Sequence, residues 1–599
     1  MTPTVRPTVG SLVVDLVVAP TREGLLVGDP AAAAVADAPN QEPRPAGGEA
    51  DAECVPWPAV ADWVADQERS ASGTGPRWVW PDTAAISPRL LAAGVRVGRC
   101  HDLRLCHAIL QLAAPDPWPA PPWLTAAPAQ PSTPSLLDDL TPVTHPAWEE
   151  VVAEHARQVT AVAASAEPGR LRLLLAAESA GALIAAEMHA DGLPWDRERH
   201  DEILTAALGP RPQHGLRPQR LERLAAQIRD LLHAPGLNPD SQAALLKALR
   251  NAGLDLQSTA KWELAGIAHP VVGPLLEYKA LARLLSANGW AWLDTWVEPG
   301  AHGRSGRFRT DYVPGGVVTG RWATSGGGAL QIPRAIRAAV VADPGWVLVV
   351  ADAAQVEPRA LAGMASDLAL AGAGQDGDLY AGLVATGVVE TRERAKVGML
   401  SALYGGTAGE AGAILPRLRR AYPRATTLVD RAAEIGAGGG TVRTWLGRTS
   451  PPPGPAWQQV QGRAGEVDAD GTDERRARSQ ARDRGRFTRN FVVQGTAAEW
   501  ALCWMAETRR RLRDLDPVPG LGRPHLVFFL HDEIVVHTPQ ALSDQVAQIV
   551  QESATVAGRL LFGGFPLSFP LHVATVRAYA DADKDSPGPA GDAAASPAL

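Results

Sequence analysis

The run from Arg392 to Gly405 constrains this chain most, because two acidic motifs flank it from far away in the sequence. Arg392, Lys396 and Leu400 recur every fourth residue, so on a helix they share one face and climb about 6 Å per step. Upstream, the apolar stretch Val347–Ala351 ends in Asp352, followed by Gln355, Glu357 and Arg359. Downstream, His531, Asp532 and Glu533 separate the apolar runs His525–Leu530 and Ile534–His537, which predicts a β-hairpin with its acidic tip in the functional site. A carboxylate at the end of an apolar strand is costly unless it is paired, solvated or metal-bound.

At 599 residues the chain is expected to form several domains. Hydrophobic residues make up 46% without a long uncharged run, so no membrane span is expected, and the Met1–Pro7 start has no secretory pattern. Cys54, Cys100, Cys106 and Cys503 are too scattered for a disulfide framework or a zinc cluster and read as small hydrophobes in a reducing cytoplasm. The net charge of −8 argues weakly against a nucleic-acid partner. Local clusters argue the other way: Arg417, Arg419, Arg420 and Arg424, and then Arg475, Arg476, Arg478, Arg482, Arg484, Arg486 and Arg489.

Short strands are expected at 11–18 and 24–28, loops at 30–50 and 114–145, and a helical period from 146 to 186 with a domain boundary near 165. Residues 196–290 read as helical, 307–313 and 316–320 as strands, 355–435 as helical, 436–484 as a Gly/Pro/Arg-rich insertion and 490–512 as a helix. The tail beyond 582 reads as disordered.

Two separated carboxylates, Asp352 and Asp532, can converge on a pair of Mg²⁺ ions, with Mn²⁺ as an alternative, while the Arg392/Lys396 face grips a triphosphate. This combination reads as a template-directed nucleotide polymerase.

The order and wording of these segments resemble family A DNA polymerases of the bacterial DNA polymerase I type. Asp352–Arg359, Arg392–Gly405 and His531–Glu533 are similar to the family's three motifs. Thr319–Thr324 with Leu330–Pro333, Glu277–Arg283, and Arg486, Asn490 and Gln494–Ala498 extend the resemblance over about 195–580. It implies an α+β right-hand polymerase with a thumb at 195–300, a palm at 305–360 and 487–580, and fingers at 361–470. Asp352, Asp532 and the Ala353 carbonyl would bind metal, with Glu533 supporting the primer terminus. Arg392, Lys396, Leu400, Gln355, Tyr380 and Tyr404 would hold the dNTP, Lys396 would donate a proton, and Glu357 would be the gate against a ribose 2′ hydroxyl. Arg321, Gln331, Arg486, Asn490, Gln494 and His531 would contact primer–template DNA.

The sequence departs from the family at Ala353-Ala354, Pro358, Leu400 and Tyr380, the last replacing a usual phosphate-binding histidine. Residues 1–165 resemble an α/β RNase H-like 3′–5′ exonuclease domain whose carboxylates are degenerate. Asp15 lacks its acidic partner, Asp82 is a candidate second position, and His155 stands where the last aspartate is expected. The expectation is therefore a cytoplasmic, monomeric DNA polymerase acting in replication or repair, without exonuclease activity, without membrane contact and with no room for a preceding 5′-nuclease domain. The alternatives are a primer–template binding protein impaired in catalysis, and an exonuclease with a degenerate polymerase half.

Overall fold

The computed structural model describes residues 15–30, 52–70, 75–125, 145–213, 215–300, 305–375, 377–406, 410–466 and 468–583. Its N-terminal sheet has the order β3-β2-β1-β4-β5, formed by β1 (Asp15–Pro20), β2 (Gly24–Gly28), β3 (Glu53–Pro56), β4 (Arg77–Trp80) and β5 (Arg99–Asp102). β1 pairs antiparallel with β2 and parallel with β4. Parallel strands covered on both faces are apolar without alternation, and Leu16–Ala19 and Trp78–Trp80 are all buried. Helix Trp148–Ala164 packs Trp148 and Val151 against Val17, Ala19 and Val79 on one face. On the other face, Leu183 of helix Pro168–Asp191 joins Leu16, Val18, Trp78 and Trp80.

Several expectations shift here. The first strand runs to Pro20, and residues 11–14 lie outside the described residues. Of the two expected loops, 31–50 of the first and 126–144 of the second also lie outside them, while Pro122–Thr125 is a short helix. The helical stretch from 146 to 186 is two helices, because Pro168 starts the second at a position where its missing N–H costs nothing.

The short strand β6 (Leu193–Trp195) comes next, helices then fill most of 197–288, and the small strands β7 (Val297–Glu298), β8 (Gly306–Phe308), β9 (Tyr312–Val313) and β10 (Ala323–Thr324) follow. The expected strand at 316–320 is instead a turn. Gly320 has φ +88°, and a Cβ there would run into the Arg448 guanidinium.

The second large sheet is antiparallel throughout, with the order β12-β13-β11-β14: β11 (Trp346–Ala353), β12 (His525–Leu530), β13 (Glu533–Pro539) and β14 (Leu571–Val576). Its core continues into helix Ser543–Phe562 and a 43-residue helix, Gly471–Arg513. That long helix corrects the expected insertion at 436–484. Asp470 caps it by accepting from Thr472 and Asp473 N–H, so the arginine-rich stretch is helical, and helix Pro455–Ala464 packs beside it. A separate core holds the helices of 356–437 against Phe491, Val492 and Val493. Among the described residues, no helix is long and apolar enough to cross a membrane. The expected disordered tail lies, from residue 584, outside the described residues.

Candidate active site

The hairpin β12–β13 and the end of β11 bring the two acidic motifs together. Asp352 is directly opposite Glu533 in the strand register, and the Ala353 N–H donates to the Asp532 carbonyl at 3.0 Å. The hairpin tip is tight, with His531 at φ +57°, a left-handed value that favours glycine and costs a side-chain-bearing residue energy.

Burial is the first cause of the raised carboxyl pKa values here. Desolvation, then Glu533 and Asp532, push Asp352 up to about 7, even though the residue itself remains exposed on one side. Asp532 is pushed up to about 6 by desolvation, opposed by Arg321 and reinforced by Glu357. Glu533 is also raised by burial, against the pull of Arg337 and a hydrogen bond from the Tyr579 hydroxyl. Neither the Asp352 nor the Asp532 side chain makes a hydrogen bond or salt bridge among the described residues, and no group of three or more His, Cys, Asp or Glu is arranged there to hold a metal unaided. Hard oxygen donors crowded with like charge suit Mg²⁺, which takes few protein carboxylates and completes its shell with phosphate and water.

The cationic helix forms as expected over Arg392–Tyr404, capped by Thr391 accepting from Arg394 N–H. Its buried face is Ala395, Gly398, Met399, Ala402 and Leu403, which leaves Arg392, Lys396 and Leu400 half-buried on another face. Arg392 donates from Nε to Asp378 Oδ2 at 2.7 Å, with its guanidinium 5.8 Å from the Tyr380 ring. Gln355, at φ +53°, stands just before the helix that follows Asp352 and donates to Asp378 Oδ1 at 2.8 Å.

Glu357 is held from two sides. Tyr404 donates to its Oε2 at 2.6 Å and Arg321 donates to its Oε1. Arg321, Gln494, His531 and Asp532 also line one cavity of about 290 Å³, floored by Trp322, Leu502, Met505 and Phe529. Asn490 is half-buried on the long helix, and the exposed Arg486 pairs with Asp483. Gln331 ends a 3-10 turn, Ala329–Gln331.

Sequence reasoning missed Asp378, Arg337, Tyr579 and His572. His572 sits opposite Asp352 on β14, and its Nε2 is buried without a hydrogen-bond partner among the described residues. Asp378 carried a readable signal, an aspartate between Gly377 and a helix start. The other three depend on strand register and chain return, which a single sequence does not display.

In the N-terminal sheet the candidate acidic positions are engaged differently. Asp15 accepts from Arg77 Nε at 2.7 Å and Nη2 at 2.5 Å, with His155 Nε2 3.6 Å away. Asp82 caps helix Thr83–Ala92 and faces Arg104 Nε at 3.2 Å.

Residues 216–578 match the model of DNA polymerase family A, well over half of the chain. The chain therefore belongs to DNA polymerase family A. It is 28% identical over 348 residues to the thermostable DNA polymerase I of Thermus filiformis, covering 53% of this chain and 37% of that protein. It is 30% identical over 373 residues to DNA polymerase I of Chloroflexus aurantiacus, covering 58% of this chain and 36% of that protein. The chain thus spans little more than a third of the length of these curated relatives. Among solved structures it is similar to the POL domain of Pol1 from M. smegmatis in complex with DNA primer-template and dNTP, with TM-score 0.62, 18% identity and 95% of each chain covered. That likeness shows the fold, the α+β right-hand polymerase expected above.

Proposed function

We propose that this protein is a DNA-directed DNA polymerase that adds deoxynucleotides to a primer 3′ end on a DNA template. The observation that carries the reading is the meeting of Asp352 and Asp532 at adjacent strand ends, desolvated and without a protein cation bonded to either. Asp352, Asp532 and the Ala353 carbonyl are the proposed metal ligands, with Glu533 close to the primer terminus. Mg²⁺ bound there would polarise the 3′ hydroxyl and offset charge on the leaving pyrophosphate.

The protein's own groups do the rest. Arg392 and Lys396 grip the triphosphate, and Lys396 gives a proton to the departing pyrophosphate. Glu357, fixed by Arg321 and Tyr404, forms a wall against a 2′ hydroxyl. Leu400, Gln355 and Tyr380 complete the nucleotide site, and Tyr404 stands near the template base. Arg321 and Gln494 read the minor-groove acceptors common to all correct pairs, a geometric check rather than sequence readout. Gln331, Arg486, Asn490 and His531 add duplex and template contacts.

The thumb is proposed at 195–300, the palm at 305–360 and 487–580, and the fingers at 361–470. Residues 1–165 act as a platform of exonuclease type without excision activity, a reading supported by the Arg77 guanidinium that pairs with Asp15 through two hydrogen bonds. The protein is proposed to work as a cytoplasmic monomer in replication or repair, with primer–template DNA and dNTPs as partners. Primer extension by the purified chain with Mg²⁺, beside an Asp532→Ala control, tests the reading. Extension lost in the control supports it; a wild-type chain that binds primer–template without extending it makes the protein a DNA-binding relative instead.

A further inference from the structure

Four hydrogen bonds from three separate segments converge on Asp378, a residue outside every motif described above. Its Oδ1 accepts from Gln355 Nε2 at 2.8 Å, Tyr380 N–H at 2.9 Å and Ala381 N–H at 3.3 Å. Its Oδ2 accepts from Arg392 Nε at 2.7 Å. Gln355 lies three residues past Asp352, and its Oε1 accepts in turn from Leu379 N–H at 3.0 Å and Arg359 Nη2 at 3.3 Å. Arg359 is fully buried and also donates to the carbonyls of Ala354, Gly374 and Ser568, so the turn after Asp352 is held from several sides.

The atom through which Arg392 is held decides what the contact does. A guanidinium has one Nε–H and two terminal NH₂ groups, and a phosphate is best met by the terminal pair. Asp378 takes only the Nε–H, and neither Nη group of Arg392 makes a hydrogen bond among the described residues. The guanidinium is half-exposed and sits over the Tyr380 ring. A long flexible side chain tethered at Nε loses rotamers before ligand arrives, which lowers the ordering cost of binding. Burial alone would raise the Asp378 carboxyl, yet it is held below the usual carboxylate range by the Arg392, Ala381 and Gln355 hydrogen bonds.

We propose that Asp378 is a positioning residue for the incoming nucleotide: it tethers Arg392 so that both terminal guanidinium nitrogens face the triphosphate, and through Gln355 it ties that grip to the turn bearing Asp352. The proposal rests on the polymerase reading for the identity of the triphosphate as a dNTP.

Asp378→Asn is the discriminating variant. Its carbonyl oxygen keeps the three Oδ1 bonds and the helix cap, whereas its NH₂ cannot accept from Arg392. The expected result is a KM for dNTP raised about tenfold with kcat changed less than about threefold, and an unchanged melting temperature. In an Arg392→Lys background, which lacks Nε, Asp378→Asn is expected to add no further rise. Equilibrium binding of dATP to the wild type and the same variants gives the same comparison without turnover, so it decides the proposal even if the chain does not extend primers. A KM and a dATP affinity unchanged by Asp378→Asn would overturn it. So would effects that multiply in the double variant, or a loss that tracks a lowered melting temperature.

Discussion

The two sheets of this molecule each present an aspartate where metal chemistry is expected, and they treat it in opposite ways. In the N-terminal sheet, Asp15 on β1 is clasped by the Arg77 guanidinium on the neighbouring strand and faced by His155. In the second sheet, Asp352 on β11 is opposite Glu533 and beside Asp532, and burial with like charge pushes it to about 7. A carboxylate already paired with a protein guanidinium gains little from a divalent ion. One crowded by other carboxylates gains a great deal. On this account strand geometry alone would not make a metal site; the charge on the adjacent strand would decide.

The largest effect that could break this contrast is on synthesis. Replacing Asp532 by alanine should cut primer extension by about 10³-fold or more, since metal charge stabilisation supplies several kcal/mol and each 1.36 kcal/mol is tenfold. Residual extension near the wild-type rate would show that Asp532 is not needed. Next, Mg²⁺ should raise the melting temperature, by linkage worth about 2.7 kcal/mol at a concentration 100 times its Kd. Calorimetry should find that shift abolished in Asp532→Ala and intact in Asp15→Asn.

Smaller effects sharpen the other half of the comparison. Arg77→Met strands the partly buried Asp15 and should cost roughly 1 kcal/mol in urea unfolding, the pair being partly open to solvent. It should bring no 3′ excision; excision appearing in this variant would mean that Arg77 merely masks a working site. Last, the His101 imidazole is depressed to about 4 by burial, then by His155, while its Nε2 pairs with Gln158 Oε1 at 2.8 Å. A depressed histidine favours folding above its ordinary pKa near 6.5 and loses that contribution as pH falls through about 4. The unfolding equilibrium constant should rise about tenfold per pH unit over that window on account of this group, and His101→Gln should flatten the slope. A pH profile identical in the variant would remove the assignment.

Much of the second sheet was legible because its signals are local. Val347–Ala351 is an uninterrupted apolar run, two such runs bracket His531–Glu533, and Arg392, Lys396 and Leu400 keep helical spacing. Their convergence followed from chemistry, since neither acidic motif has a use alone. The stretch from 436 to 484 misled, because its Gly, Pro and charge content masks a helix start that depends on the Asp470 cap. The strand expected at 316–320 failed for a different reason. Two valines suggested β structure, but Gly320 takes a left-handed turn against Arg448, a partner far away in sequence. Arg337, Tyr579 and His572 reach the site through register and return of the chain, and periodicity carries no trace of that.

The contrast between the sheets meets its most direct test in one gel. A 5′-labelled primer with a mismatched 3′ end, and a matched control, are incubated with template, dNTPs, Mg²⁺ and either the wild-type chain or Asp532→Ala. Longer products from the matched primer with the wild type, none with Asp532→Ala, and no shortened primer in any lane are the expected results. Shortened primer with the wild type, or extension that survives Asp532→Ala, would contradict the assignment of metal chemistry to the second sheet alone.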